Sequence, residues 1–342
     1  MSTFRAWRVH QNGDRIAGAV ESLPLPVPGE GEVLIRAKWS GINYKDALGA
    51  TGAGKILRRF PLTAGIDVAG TVAESRHPDW RVGQPVLVNG CGLGENHDGG
   101  FAECVCVPGD WVVALPDGLS TRDAMILGTA GFTAALALTR MEALGQTPEQ
   151  GPVLVTGASG GVGNFAVQCL KRAGYTVHAV SGKPEAADWL QRLGADEVTT
   201  PEALGLGHRP LEKARWAGAV DSVGGELLAG ICRHVDLFGN VAAIGLAAIG
   251  LAGGARLETT VMPHILRGVS LLGISSANCP QPLRRQVWAR LGEALRPRHL
   301  DEVVDRVLPL EQLQGGFEDL LERRVRGRIL VDLASPGRPD NQ

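Results

Sequence analysis

An excess of charge of either sign is missing from this sequence. Its 34 Lys and Arg stand against 36 Asp and Glu, a formal net charge of −2 with histidine neutral. Such a balance excludes the global basic field that binds nucleic acid or acidic membrane surfaces. The six cysteines, Cys91, Cys104, Cys106, Cys169, Cys232 and Cys279, contain no CxxC pair. They form no disulfide framework and fit a reducing compartment. The N-terminal MSTFRAWRVH lacks the apolar core of a signal peptide. The most apolar stretch, Val241 to Gly254, is rich in Ala and Gly and falls short of the ~20 residues of a membrane span. A soluble, cytoplasmic protein is the expectation. Tyrosine is scarce too, with only Tyr44 and Tyr175.

What is present centres on VLVTGASGGVGNFAVQCLKRAGYTVHAVSGK, Val153 to Lys183. Val153 to Thr156 is a short β-branched run suited to a buried parallel strand. A glycine-rich turn follows from Gly157 to Gly163. Phe165, Val167 and Leu170 have helical spacing, Gly174 stops the helix, and Tyr175 to Val180 is a second strand. A glycine turn between strand and helix matches a dinucleotide-binding site, whose backbone N–H groups and helix N-terminus hold a pyrophosphate. The match to GxGxxG is imperfect: Ala158 stands where the first glycine is usual, ahead of Gly160 and Gly163. An ordinary βα turn is the alternative.

An acid is also missing where NAD-binding units place one. About 20 residues after the glycines an Asp or Glu usually bonds the ribose hydroxyls. Here the strand ends in Ser181-Gly182-Lys183. A hydroxyl, a flexible turn and a cation suit a 2′-phosphate, which an acid would repel, and this favours NADPH.

At 342 residues the chain predicts two domains, since single cores stop growing near ~250–300 residues. Residues 1–124 read as β-rich, with short strands between glycine turns and chemistry carried by loops. Val33, Ile35 and Ala37 alternate with Leu34, Arg36 and Lys38. An apolar helix begins near Ser120, and strands over 197–199, 218–221, 240–245 and 270–274 alternate with helices, the pattern of an open parallel sheet. After Ala277 the alternation stops, so 277–342 is expected to return and complete the first domain. The expected domains are thus 1–124 with 277–342, and 125–276. AIGLA repeats in tandem over Ala243 to Ala252, which lengthens a loop at a strand's carboxyl end.

The motifs GINYKDAL, TGAGKILRRFP, GIDVAGTV, GLGENHDGGFAE, LGTAGFTAALAL, VTGASGGVG, VSGK, DSVGG and TTVMPHILRGVSLLGISS cover almost the whole chain. With them it resembles the zinc-free quinone oxidoreductase-like branch of the medium-chain dehydrogenase/reductase superfamily, and within it the NADPH-dependent acryloyl-CoA reductase group. The resemblance implies an α/β fold: a GroES-like β-rich catalytic domain plus a Rossmann domain with a doubly wound parallel sheet, nicotinamide and substrate held in a cleft between them. It implies Tyr44 beside nicotinamide and substrate, and Ser159, Gly160, Gly161 and Val162 around the pyrophosphate. Ser181, Gly182 and Lys183 would hold the 2′-phosphate, Lys183 replacing an arginine common in the group. Leu246, Ile265 and Ser276 would line the rest of the cofactor site. The repeat makes Leu251 an alternative to Leu246, which is preferred because it directly follows the strand. The arginine often found near Pro201 is absent. A homodimer is implied, pairing through the strand Ser270 to Ile274.

The zinc-binding relatives use Cys and His ligands. Asn43 stands at the expected cysteine and Gly65-Ile66-Asp67 where a His-Glu pair would be, so no metal is expected. Cys104 and Cys106 read as packing, and His97 as structural or solvated. The implied reaction reduces acryloyl-CoA or a similar short enoyl thioester to propanoyl-CoA by hydride transfer to the β-carbon. Negative charge then develops on the thioester oxygen and the α-carbon takes a proton. Tyr44 either donates that proton or stacks on nicotinamide while solvent supplies it. Lys55, Arg58 and Arg59 are candidates for CoA phosphates. The alternatives are a broader NADPH quinone or enone reductase, and a non-catalytic nucleotide-binding protein.

Overall fold

The computed structural model describes residues 2–244, 254 and 256–334. They fall into two compact units. The first runs to Thr129 and takes in Ala277–Arg285 and the chain from Asp301; the second comprises Ala130–Ser276 and Gln286–Leu300.

In the first unit β1 (Thr3–Asn12) and β2 (Arg15–Pro24) form an antiparallel hairpin. Then come β3 (Glu32–Ile42), α1 (Tyr44–Thr51), β4 (Leu62–Thr63), β5 (Asp67–Ser75), β6 (Pro85–Asn89), β7 (Cys104–Pro108) and β8 (Val113–Ala114). β3 is the centre of this unit and pairs with both β5 and β7. The expected alternation along β3 is therefore incomplete: Leu34 is buried with Val33 and Ile35. The core here includes Ile35, Val68, Val88, Phe101 and Phe317. A helix, α2 (Thr121–Ala143), follows; it is broken at Gly128, whose φ of 49° and ψ of −155° lie outside helical space. α2 is long and apolar enough to cross a bilayer, but 89% of its most apolar window is buried in the protein.

The second unit carries β9 (Val153–Val155), α3 (Gly161–Arg172), β10 (Val177–Val180), α4 (Ala187–Leu193), β11 (Glu197–Thr199), β12 (Trp216–Asp221), α5 (Gly225–His234), β13 (Val235–Ala243), α6 (Met262–Leu266) and β14 (Ser270–Gly273). Every strand pair is parallel, in the order β11-β10-β9-β12-β13-β14. The order reverses between β9 and β12, which is where open α/β sheets bind ligands, beyond the carboxyl ends of the strands. Leu154, Ala219, Val241 and Ile231 lie in its core.

α7 (Gln281–Gly292) leads into residues 286–300, which belong to the second unit, although the sequence reading gives all of 277–342 to the first. Burial explains this. Trp288 is fully buried and stacks on Phe132 with ring centroids 5.9 Å apart. Arg290 pairs with Glu142 at 2.7 Å. The chain ends with β15 (Val304–Pro309), α8 (Leu313–Leu321) and β16 (Arg328–Asp332). β15 and β16 are parallel, and β16 lies antiparallel to β3, giving the order β15-β16-β3-β5-β6-β8 with β7 also on β3.

Candidate active site

β9, the glycine turn after it and α3 form the segment of the second unit in which the sequence places a nucleotide site. Val153, Leu154 and Val155 are fully buried, which fixes the strand, and the turn Thr156–Gly160 emerges from its carboxyl end. A Cβ on Gly163 would fall 2.2 Å from the Gly157 carbonyl oxygen, so only glycine lets the helix start this close to the turn. The Gly160 N–H donates to Gly157 O at 2.9 Å and so closes the turn. The first-turn N–H groups of α3, at Gly161 and Val162, have no intrahelical acceptor, an arrangement that suits an anion. Gly161 and Val162 are half-buried, Gly160 is exposed and Ser159 is buried.

The second strand closes on the same turn. Ser181 Oγ donates to Ser159 Oγ at 2.9 Å, and the Lys183 N–H donates to Ser181 Oγ at 3.0 Å. A Cβ on Gly182 would meet nothing within 4 Å, so the space beside this corner is open. The structure therefore brings Ser159, Ser181 and Lys183 together beside Gly160–Val162, an arrangement that fits a nucleotide phosphate. Across the sheet, Thr156 Oγ1 donates to Asp221 Oδ1 at 2.6 Å, and the Gly224 N–H reaches Asp221 Oδ2 at 2.8 Å. Burial pushes the Asp221 carboxyl up, against these hydrogen bonds. This clamp joins the ends of β9 and β12. Its sequence signal is the DSVGG motif, to which no role is assigned above.

Of the remaining cofactor candidates, Ile265 lies exposed on α6 and Ser276 is half-buried just after β14. Leu246 lies outside the described residues, as does Leu251.

In the first unit Tyr44 is the first residue of α1, not part of a loop as the sequence suggests. Its side chain is partly exposed, at 36%. The helix starts there because Asn43 and Asp46 form a capping box: the Asn43 N–H donates to Asp46 Oδ2 at 2.8 Å. Beneath it lies a buried polar cluster. Asn43 Nδ2 donates to Asp67 Oδ2 at 2.8 Å, and the Ile66 N–H donates to Asp46 Oδ1 at 2.9 Å. Thr129 adds its N–H to Asp67 Oδ2 at 2.8 Å and its hydroxyl to Asp67 Oδ1 at 2.6 Å. Arg328 Nη1 donates to Asn43 Oδ1 at 2.9 Å. Burial, helped by the Asp67 charge, pushes the Asp46 carboxyl up to about 7 against hydrogen bonds from Asn43 and Ile66. Asp46, Thr129 and Arg328 are absent from the sequence reading. The S/T/D/N-x-x-acid pattern of Asn43 and Asp46 was the available signal for the first.

Lys45 pairs with Glu95, and the Arg58 N–H donates to Glu95 O at 2.7 Å, so α1 is tied to the 55–60 and 92–98 segments. Lys55, Arg58 and Arg59 are exposed, and Arg59 Nε donates to Asn96 O at 3.0 Å. His97 packs edge-on against Trp111, with ring centroids 5.1 Å apart, and its Nδ1 lies 2.9 Å from Asp98 O. Burial raises both the Cys104 and Cys106 thiols, the latter to about 12 with Glu32 beside it. Neither has thiolate character. Among the described residues no group of three or more His, Cys, Asp or Glu could hold a metal ion.

Comparison with known proteins places this architecture. Residues 29–117 match the alcohol dehydrogenase GroES-like domain, and residues 161–293 match the zinc-binding dehydrogenase domain. A Bacillus subtilis protein named as a quinone oxidoreductase, YhfP, is 46% identical over 336 residues, covering 97% of this chain and all of the relative. Its crystal structure with NAD bound has a TM-score of 0.92 and covers 97% of this chain and 100% of its own. The acrylyl-CoA reductase AcuI of Ruegeria pomeroyi is 43% identical over 324 residues, 94% of this chain and 96% of the relative. The yhdH oxidoreductase of Salmonella enterica, solved with NADP, is 44% identical with a TM-score of 0.90, covering 96% of this chain and 99% of its own. With its GroES-like and parallel-sheet Rossmann domains, the chain is an oxidoreductase of the medium-chain dehydrogenase/reductase superfamily and belongs with these quinone oxidoreductase and acrylyl-CoA reductase relatives.

Proposed function

We propose that this oxidoreductase uses NADPH to reduce the activated C=C bond of acryloyl-CoA, or a similar short enoyl thioester, to the propanoyl thioester. The observation that carries the cofactor is the corner at Ser181-Gly182-Lys183. A hydroxyl anchored to the glycine turn, open space and a lysine meet there, and the Ser181-Gly182-Lys183 sequence itself carries no acid. Ser159, Gly160, Gly161 and Val162 would hold the pyrophosphate, with α3's N-terminus facing it. Ser181, Gly182 and Lys183 would hold the 2′-phosphate, and Ile265, Ser276 and Leu246 the remainder. The NADP held by the Salmonella relative supports this, while the NAD in YhfP makes nucleotide preference the first property to measure.

When bound, the cofactor supplies a hydride to the β-carbon of the alkene. The protein must orient that carbon and stabilise charge on the thioester oxygen. Tyr44 is the proposed group beside nicotinamide and substrate. Its phenol donates a hydrogen bond or proton as the α-carbon is protonated. No metal takes part in this reading, because Asn43 and Asp67 spend their polar atoms on each other, on Thr129 and on Arg328. Exposed Lys55 and Arg58 would meet CoA phosphates.

Reduction of a quinone or simple enone is the second reading, supported by the name of YhfP. The proposed assembly is a homodimer through β14. β14 is the sheet's edge strand, and Leu271 on it, like Leu237 and Phe238 on neighbouring β13, is exposed. Six free cysteines suit the proposed cytoplasmic location. The test of the reaction is mass spectrometry of the product formed from acryloyl-CoA with nicotinamide-deuterated NADPH. One deuterium on the β-carbon is expected. Unlabelled product, or none, contradicts it.

A further inference from the structure

We infer that Arg328 is a positioning residue of this site, the fixed cation that sets the orientation of Asn43 and, through it, of Tyr44. The inference rests on the reading of Tyr44 given above. Arg328 opens β16, one register position from the Ile329–Ile42 pair that joins β16 to the end of β3. Its side chain is 3% exposed. Nη1 donates to the Ile42 carbonyl at 3.1 Å and to Asn43 Oδ1 at 2.9 Å, while Nε donates to Ile126 O at 3.1 Å. Nη2 lies 3.8 Å from Asp67 Oδ2.

The consequence runs through one amide. With Asn43 Oδ1 held by the guanidinium, its Nδ2 must face the carboxylates, and it does, at 2.8 Å from Asp67 and 3.2 Å from Asp46. A flipped amide would set Nδ2 against guanidinium N–H groups and an oxygen against two carboxylates. Asn43 is the N-cap of α1 and Tyr44 is the next residue, so the direction of the Tyr44 side chain depends on this peptide. Lysine could not substitute, because one ammonium cannot supply the planar fork that meets Asn43 and Ile126 from different nitrogens.

The chain also makes room for this guanidinium. A Cβ on Gly41 would lie 2.8 Å from Arg328 Nη2, and one on Gly128 would lie 2.7 Å from it and 2.6 Å from Asp67 Oδ2. Gly128 adopts a positive-φ conformation, open to glycine, that interrupts α2 at this point. Two elements distant in sequence thus give way to one buried cation, and the break also delivers the Thr129 N–H and hydroxyl to Asp67.

The test uses the intact enzyme and its two tyrosines. Ring-labelled tyrosine gives two NMR signals, and the Tyr44→Phe variant assigns them. In Arg328→Ala, the Tyr44 signal is expected to shift or broaden while that of Tyr175 stays. Turnover is expected to fall by roughly 10²-fold, the scale of a small misplacement of a reacting group, with NADPH affinity by fluorescence titration within about twofold. Millimolar ethylguanidinium is expected to restore the Tyr44 signal and part of the turnover, and ethylammonium to restore neither. Where Arg328→Ala does not fold, Arg328→Lys takes its place, with the same displacement of the Tyr44 signal expected. An unmoved Tyr44 signal in a folded variant overturns the inference, as does lost turnover that follows only the folded fraction. The NMR readout needs no turnover, so an inactive wild-type enzyme would count against the proposed reaction and leave the Arg328 result standing.

Discussion

Ser181 Oγ donates a hydrogen bond to Ser159 Oγ at 2.9 Å, joining the end of the second Rossmann strand to the glycine turn that follows the first. Both residues are buried, so the corner that would select the nucleotide is held from beneath while Gly182 faces open space.

Substitution at that open position should invert nucleotide preference. Gly182 tolerates a side chain, since its Cβ would meet nothing within 4 Å. In Gly182→Asp, a carboxylate beside the 2′-phosphate should raise KM for NADPH on the order of tenfold, equivalent to ~1.4 kcal/mol, and spare NADH. Steady-state kinetics with both nucleotides checks this; equal effects on the two would remove the assignment of this corner.

Tyr44→Phe keeps the ring and removes the hydroxyl. If the phenol donates the proton, kcat should fall by roughly 10²-fold, with KM for NADPH little changed. Full turnover in stopped-flow assays would leave Tyr44 only as a stacking surface.

Asp46 makes stability depend on pH. Its carboxyl stands near 7 in the folded protein because it is buried and close to Asp67. The unfolded chain loses that proton near the ordinary carboxylate value, so the folded state holds more protons between those limits. This group's contribution to stability therefore falls as pH rises from ~4 towards 7. The difference in Tm between wild type and Asp46→Asn should change across that window and level off above it. A constant difference from pH 4 to 8 would show that Asp46 titrates elsewhere.

The edge strand β14 offers its own test. Leu271→Lys places a charge on the exposed face of an unpaired edge, which should turn a dimer into a monomer by size exclusion with light scattering. A wild-type monomer, or a variant that stays dimeric, would rule out this edge as the contact.

The parts legible in the sequence were those made by neighbours in the chain. The strand, turn and helix around Gly157–Gly163 are contiguous, and a position where any Cβ would fall 2.2 Å from a carbonyl oxygen has to be written as glycine. The missing acid at Ser181–Lys183 was equally plain. Tyr44 was read in a loop because α1 has only eight residues, and its start rests on a capping box that no apolar periodicity announces. The β1–β2 hairpin went unread, since β2 alternates between exposed and half-exposed positions and buries none of its residues. Arg328 was invisible for a different reason: it meets Asn43 across 285 positions of sequence, and a buried arginine looks like any other in a one-dimensional list. The segment 286–300 was misassigned because its anchors, Phe132 and Glu142, lie about 150 residues upstream.

The most direct measurement is NADPH oxidation by equal amounts of enzyme with acryloyl-CoA, crotonyl-CoA and a simple quinone. The expected result is a kcat/KM for acryloyl-CoA well above the other two, with the label appearing at the β-carbon. A quinone turned over best, or no turnover with any of the three, would contradict the proposed reaction.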